Sequence, residues 1–204
     1  MVPGRRRAGT LTRVDVYELA LAPCDPAPLS ADERERAARM RRPGPWIASR
    51  VALRTVLGER LGIAPSEVVF ALGPHGKPEL PGSPVRFSLA HSGEHAVIAV
   101  AEAEVGVDVE RLQRTSRAIE RTLTEGERAA LGPDRHVELM RIWCRKEALA
   151  KAIGGGLGWA PERFDTSRPD GFALVDLELS AGYVGAVAVA GERCDVHLIR
   201  GAGG

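Results

Sequence analysis

From Val105 to Glu110 apolar and polar residues alternate with a period of two, the spacing of a strand. Val107 and Val109 take one face and Asp108 and Glu110 the other. From Arg135 to Ile153 the period lengthens to that of a helix, on which Trp143, Glu147 and Lys151 share one face. The same two periods divide the rest of the chain. Strands are predicted over Arg13–Leu21, Val68–Leu72, Val85–Leu89, Ala96–Ala101, Phe172–Leu179, Tyr183–Ala190 and Cys194–Ile199. Ser30 with Glu33 has capping-box spacing and opens a helix to about Arg42, which Pro43-Gly44-Pro45 stops. Further helices are predicted over Trp46–Leu61 and Arg117–Leu131, and the Gly154-Gly155-Gly156 run ends the Arg135–Ile153 helix. Gly73-Pro74-His75-Gly76 reads as a turn.

The pattern starts again near Glu102 to Val105. Each part reads strand, helices, strands, which predicts an α+β fold with halves at residues 1–103 and 104–204. No residue-level repeat between the halves is read at this level.

Composition narrows the function classes. The 44% hydrophobic content is enough for a core, and a net charge of +1 gives no global pull toward nucleic acid or membrane. Arg5-Arg6-Arg7 reads as a solvated tail, while Arg34, Arg36, Arg39, Arg41 and Arg42 crowd one segment. No stretch has the apolar length of a membrane span, and no apolar segment of a secretory signal follows the first arginines. Cys24, Cys144 and Cys194 are odd in number and widely spaced, which suggests neither a disulfide framework nor a zinc site; a reducing cytoplasm is expected.

Asp108 and Glu110 could be solvent-facing residues of an edge strand, and Glu147 with Lys151 an ordinary surface ion pair. Like charges on one strand face repel, however, unless a cation or base sits between them. Three converging carboxylates suit Mg²⁺, which fills its remaining sites with water and phosphate oxygens, so phosphoryl chemistry is the leading expectation.

Gly106-Val107-Asp108-Val109-Glu110 and Trp143-Cys144-Arg145-Lys146-Glu147-Ala148-Leu149-Ala150-Lys151 stand in that order. Upstream lie Gly76-Lys77-Pro78 and Phe87-Ser88-Leu89-Ala90-His91-Ser92-Gly93, and between the first two segments Glu127 stands within Thr124–Leu131. Together these segments resemble the signature of the 4'-phosphopantetheinyl transferases of the surfactin-synthetase-activating type, from about Leu29 to Val189. The resemblance implies a pseudo-twofold monomer of two similar α+β halves, each a small, mainly antiparallel sheet with helices, and an active site in the cleft between them. It implies coenzyme A as co-substrate, Mg²⁺, and an apo acyl or peptidyl carrier protein as partner. Asp108, Glu110 and Glu147 would hold the metal. Glu147 or Glu127 would act as base, with Lys151 and His91 on the phosphates. Lys77, His91, Ser92, Lys146 and Lys151 would bind the cofactor, and Arg41, Arg42 and Arg50 are candidates for its 3'-phosphate. Ala90 is a departure, since relatives often carry serine there. Residues 119–131 and Gly132-Pro133-Asp134 are candidates for carrier docking. A Mg²⁺-dependent pyrophosphohydrolase of coenzyme A-like substrates and a non-catalytic coenzyme A-binding module are the alternatives at this point.

Overall fold

The computed structural model describes residues 11–73, 76–112, 117–155 and 160–201. Arg5–Arg7, Pro74, His75 and Gly156 lie outside them. The first stretch of the chain runs β1 (Thr12–Ala20), α1 (Ala31–Ala38), α2 (Gly44–Leu61), β2 (Ala71–Leu72), β3 (Pro78–Glu79), β4 (Arg86–Ser92) and β5 (His95–Ala101). It continues through β6 (Val105–Arg111), α3 (Arg117–Arg121), α4 (Glu125–Ala129), α5 (Arg135–Ile153), β7 (Phe172–Leu177), β8 (Tyr183–Ala190) and β9 (Cys194–Gly201). Short 3₁₀ turns at Pro65–Glu67 and Pro161–Arg163 follow the two long helices. The protein is α+β.

One sheet has the order β4-β5-β1-β9 and the other β6-β8-β7, with β2 and β3 forming a small ribbon. All pairings are antiparallel except one: β9 runs parallel to β1, with Val196 beside Val14. Residues 194–201 therefore complete the sheet of the first half, although they follow residue 104 in the chain. Period-two patterning finds a strand but does not say which sheet it joins.

Valines and alanines of β1, β5, β6 and β8 fill a core shared by the sheets. Leu53 and Leu57 of α2 cover the outer face of the first sheet at Phe87 and Ile98. Ala148, Leu149 and Ala152 of α5 cover the outer face of the second at Ala186 and Ala188. Thus Val107 and Val109 enter the shared core while Gly106, Asp108 and Glu110 face α5. Between the sheets, β4 meets β6 through serines: the Ser88 and Ser92 hydroxyls accept from the Val107 and Arg111 amides at 3.1 and 3.2 Å.

Two predicted elements are corrected. The expected helix Arg117–Leu131 is two helices, because Thr124 starts a new one. Its hydroxyl accepts from the Glu127 amide at 3.2 Å, and Glu127 Oε2 accepts from the Thr124 amide at 2.9 Å. The expected strand Val68–Leu72 shrinks to β2, since Pro65 sets a 3₁₀ turn just before it. Gly154 ends α5 as expected, with a φ of +67° that favours glycine. Among the described residues no helix is long and apolar enough to cross a membrane.

Candidate active site

A cleft of about 630 Å³ is walled on one side by α2, the Gly76–Pro78 turn and β4, and on the other by α5. Trp46, Arg50, Lys77 and His91 line the first wall, Glu147 and Lys151 the second.

The second wall depends on one glycine. A Cβ on Gly106 would lie 2.0 Å from the Ala148 carbonyl oxygen and 2.4 Å from the Ala152 amide nitrogen. Only a residue without a side chain lets α5 sit this close to β6. That approach brings Lys151 onto Asp108: its ammonium donates to Asp108 Oδ1 at 2.7 Å and to the Val107 carbonyl at 3.1 Å. Asp108 Oδ2 is buried and, among the described residues, is the one buried side-chain polar atom without a hydrogen-bond partner. Burial pushes the Asp108 carboxyl up to about 6; Lys151 opposes the rise, while Glu110 and Glu147 add to it. Burial likewise raises Glu147, again with Lys151 opposing and Glu110 adding. Glu110 Oε2 accepts from the Ser92 hydroxyl at 2.8 Å. The three acids are thus close enough to repel, and Asp108 Oδ2 accepts no hydrogen bond, although the Cys144 thiol lies beside the carboxylate. An all-oxygen set of this kind fits a hard cation. Among the described residues no three His, Cys, Asp or Glu side chains are drawn together as a metal-holding group. In this arrangement Lys151 and Ser92 hold Asp108 Oδ1 and Glu110 Oε2.

His91, the last residue but one of β4, lines the cleft. Burial and the Lys151 ammonium push its imidazole below the ordinary value, against the pull of Glu110. A neutral ring near pH 7 gives one N–H donor and one acceptor.

Several expected site residues are engaged elsewhere. Glu127 and Lys146 are not in the cleft. Lys146 is completely buried, 2.9 Å from Glu127, and donates to the Pro161 carbonyl at 2.8 Å and to that of Phe164. Glu127 Oε1 accepts from the Thr166 amide and hydroxyl at 2.9 and 2.8 Å. Neither group can reach a solvent-borne ligand. Ser92 is occupied by Glu110 and Arg111 rather than offered to a cofactor. Ala90 lines the cleft, but its side chain belongs to the buried shared core and shares a strand face with Ser88 and Ser92, so the missing hydroxyl would have faced β6. Arg50 lines the cleft, but its guanidinium is bonded to Glu33 Oε1 at 2.6 and 2.8 Å and lies over Phe70. Lys77 lines the cleft too, while its ammonium donates to Glu104 and to the Val105 carbonyl at 3.1 and 3.0 Å. Arg41 and Arg42 are exposed just before α2. Trp46, whose ring lies 5.6 Å from the Arg36 guanidinium, is a cleft residue that the sequence reading missed. Its place at the start of an amphipathic helix was the available signal.

The profile of the 4'-phosphopantetheinyl transferase superfamily matches residues 104–188, the segment that builds the acidic wall. HetI, a 4'-phosphopantetheinyl transferase of Nostoc, is 33% identical over 191 residues, covering 81% of this chain and 80% of the relative. This chain belongs to the 4'-phosphopantetheinyl transferase superfamily. The transferase AcpT of Escherichia coli K12 is 37% identical over 140 residues, 63% of this chain and 67% of the relative. A Synechocystis member is 32% identical over 151 residues, and there the chain spans 61% of the relative's length. The matched segment holds both Gly106–Glu110 and Trp143–Lys151, and of these residues Glu147, Ala150 and Lys151 line the cleft.

Proposed function

We propose that this protein transfers the 4'-phosphopantetheine arm of coenzyme A to a serine hydroxyl of an apo acyl or peptidyl carrier protein, releasing adenosine 3',5'-bisphosphate. The reading rests on membership of the superfamily, together with one observation: the buried Asp108 carboxylate, one oxygen of which accepts no hydrogen bond, is paired with Lys151 and repelled by Glu110 and Glu147, and Glu147 and Lys151 line the cleft. Asp108, Glu110 and Glu147 would hold Mg²⁺, which when bound supplies charge neutralisation on the pyrophosphate. Lys151, now paired with Asp108, would stabilise phosphate oxygens, and His91, whose pKa is lowered by burial and Lys151, would donate one hydrogen bond to them. Glu147, raised by burial, is the cleft carboxylate suited to take the proton of the carrier serine. Trp46, Arg50 and Lys77 on the facing wall would bind the nucleotide end. The two halves, with strand orders β4-β5-β1 and β7-β8-β6, would be related by a pseudo-twofold axis and act as a monomer in the cytoplasm.

Mass spectrometry of an apo carrier protein incubated with coenzyme A and Mg²⁺ tests this. A carrier heavier by the phosphopantetheine arm is the expected outcome. Cleaved coenzyme A with unmodified carrier would favour a pyrophosphohydrolase, and no turnover a binding module. Light scattering that finds an obligate dimer would overturn the single-chain reading.

A further inference from the structure

The two halves carry the same fastening with different residues. In the first, Glu33 closes the capping box of α1 on Ser30, and its Oε2 also accepts from Arg54 at 2.7 Å. Arg54 reaches on to the Pro65 and Val68 carbonyls at 3.1 and 2.8 Å, around the 3₁₀ turn that follows α2. In the second, Glu127 closes the capping box of α4 on Thr124 and binds Lys146. Lys146 reaches the Pro161 and Phe164 carbonyls, around the 3₁₀ turn that follows α5. Both cations stand eight residues before a left-handed glycine, Gly62 or Gly154, that ends the helix. A short capped helix, a long helix and the turn after it are pinned at one buried point in each half.

The first copy does this with no acid on the next residue. Thr55 follows Arg54 and bonds its own helix at the Val51 carbonyl. The fastening is thus independent of the chemistry. In the second copy the next residue is Glu147. Successive helix residues are turned by about 100°. Fixing Lys146 toward the turn at residues 161–164 therefore fixes where Glu147 projects.

We propose that Glu127 and Lys146 are a positioning pair, which locks the rotation and height of α5 so that Glu147 stays in the cleft, and that neither touches coenzyme or carrier. The pair sits with its oxygens and protons all engaged. Burial alone would raise the Glu127 carboxyl, but the Lys146 ammonium and the Thr166 and Thr124 amides hold it below the ordinary carboxylate value. It is thus a weak base as well as an inaccessible one.

The inference rests on the transferase reading, and steady-state kinetics of Glu127→Gln with varied coenzyme A tests it. Turnover should fall on the order of 100-fold, as for a displaced reacting group, with the Michaelis constant for coenzyme A little changed. The residual turnover of Glu127→Gln should keep the parental pH profile, because the group that takes the proton is still present. Loss of the profile's basic-group limb would make Glu127 the base and overturn the proposal. A single variant with full turnover and only a lower melting temperature would make the pair merely structural and also overturn it. Lys146→Arg should keep near-parental turnover, because Arg54 does this work in the other half. An unfolded or inactive Lys146→Arg overturns the proposal. An inert parent protein in the same assay refutes the transferase reading itself, whereas an active parent leaves only the pair on trial.

Discussion

Strands β1 and β6 carry the same three residues, Val14-Asp15-Val16 and Val107-Asp108-Val109. In both, the valines enter the shared core and the aspartate turns outward toward a long helix. The surroundings then diverge. Asp15 is ringed by cations, with Arg13 at 3.0 Å and Arg60 at 3.6 Å. Asp108 has one ammonium, two acidic neighbours and an oxygen without a partner. Tyr17 stands where β6 has Glu110, and Arg13 where it has Gly106. A strand whose acid is satisfied by arginines needs nothing from solution. One whose acids outnumber their cations is prepared to take something up. The contrast between the two strands lies in two or three neighbours.

Asp108→Ala against Asp15→Ala is the widest contrast. The first should cost transfer on the order of 1,000-fold in a carrier-labelling assay while the protein stays folded. The second should keep turnover and lower stability by about 1 kcal/mol in urea unfolding, since its partners remain solvated. Near-normal turnover of Asp108→Ala at saturating Mg²⁺ would erase the comparison.

Lys151 and Lys77 sharpen it across the cleft. Lys151→Ala should lower turnover about 100-fold, because on the proposed reading its ammonium, held at Asp108, would face the charge that develops on the phosphate. Lys77→Ala should raise the Michaelis constant for coenzyme A about threefold at similar turnover, its ammonium being tied to Glu104 and Val105. Kinetics in which the two exchange behaviours would misplace the reacting phosphate.

Gly106→Ala against Arg13→Ala tests how each strand meets its helix. The added Cβ must push α5 off β6, so a loss of about 2 kcal/mol in thermal or urea unfolding is expected, together with lower activity. Arg13 is largely exposed, and truncating it should leave the midpoint nearly unmoved.

The smallest effect is shared by both halves. Glu33 and Glu127 are each pushed up by burial but held below 4.5 overall by their hydrogen bonds and cations. The unfolded chain therefore binds more protons at low pH. The stability these groups give is complete above the unfolded value and drains as pH falls through the lower folded one. Urea midpoints measured from pH 7 down to 3 should fall in acid. Glu33→Gln or Glu127→Gln should each flatten the slope. Unchanged slopes would mean that the buried pairs do not set the acid limit.

Much of this was legible in the chain. The alternation at Val105–Glu110 and the helical period of α5 place Asp108, Glu110, Glu147 and Lys151 on facing elements. The pairing of Glu127 with Lys146 was not legible. A lysine next to a glutamate on a helix reads as solvated, and only the turn at residues 161–164, brought round by the fold, buries it. No likeness between the halves is legible in hydrophobic period because the shared signs are short: one V-D-V in each, and Ser30 with Glu33 matched by Thr124 with Glu127. Hydrophobic period shows none of these. Thr124-x-x-Glu127, read as the capping box it is, would have split the helix expected over Arg117–Leu131.

The parallel pairing of β9 with β1 bears on how the chain comes to be folded during synthesis. The first sheet is opened by nearly the earliest strand and closed by nearly the latest. Until residues 194–201 have emerged from the ribosome, the edge of β1 offers its free amides and carbonyls to any other extended chain. The halves are accordingly not separable modules: a fragment cut at residue 103 would carry that open edge permanently, and self-association is the fate expected of it.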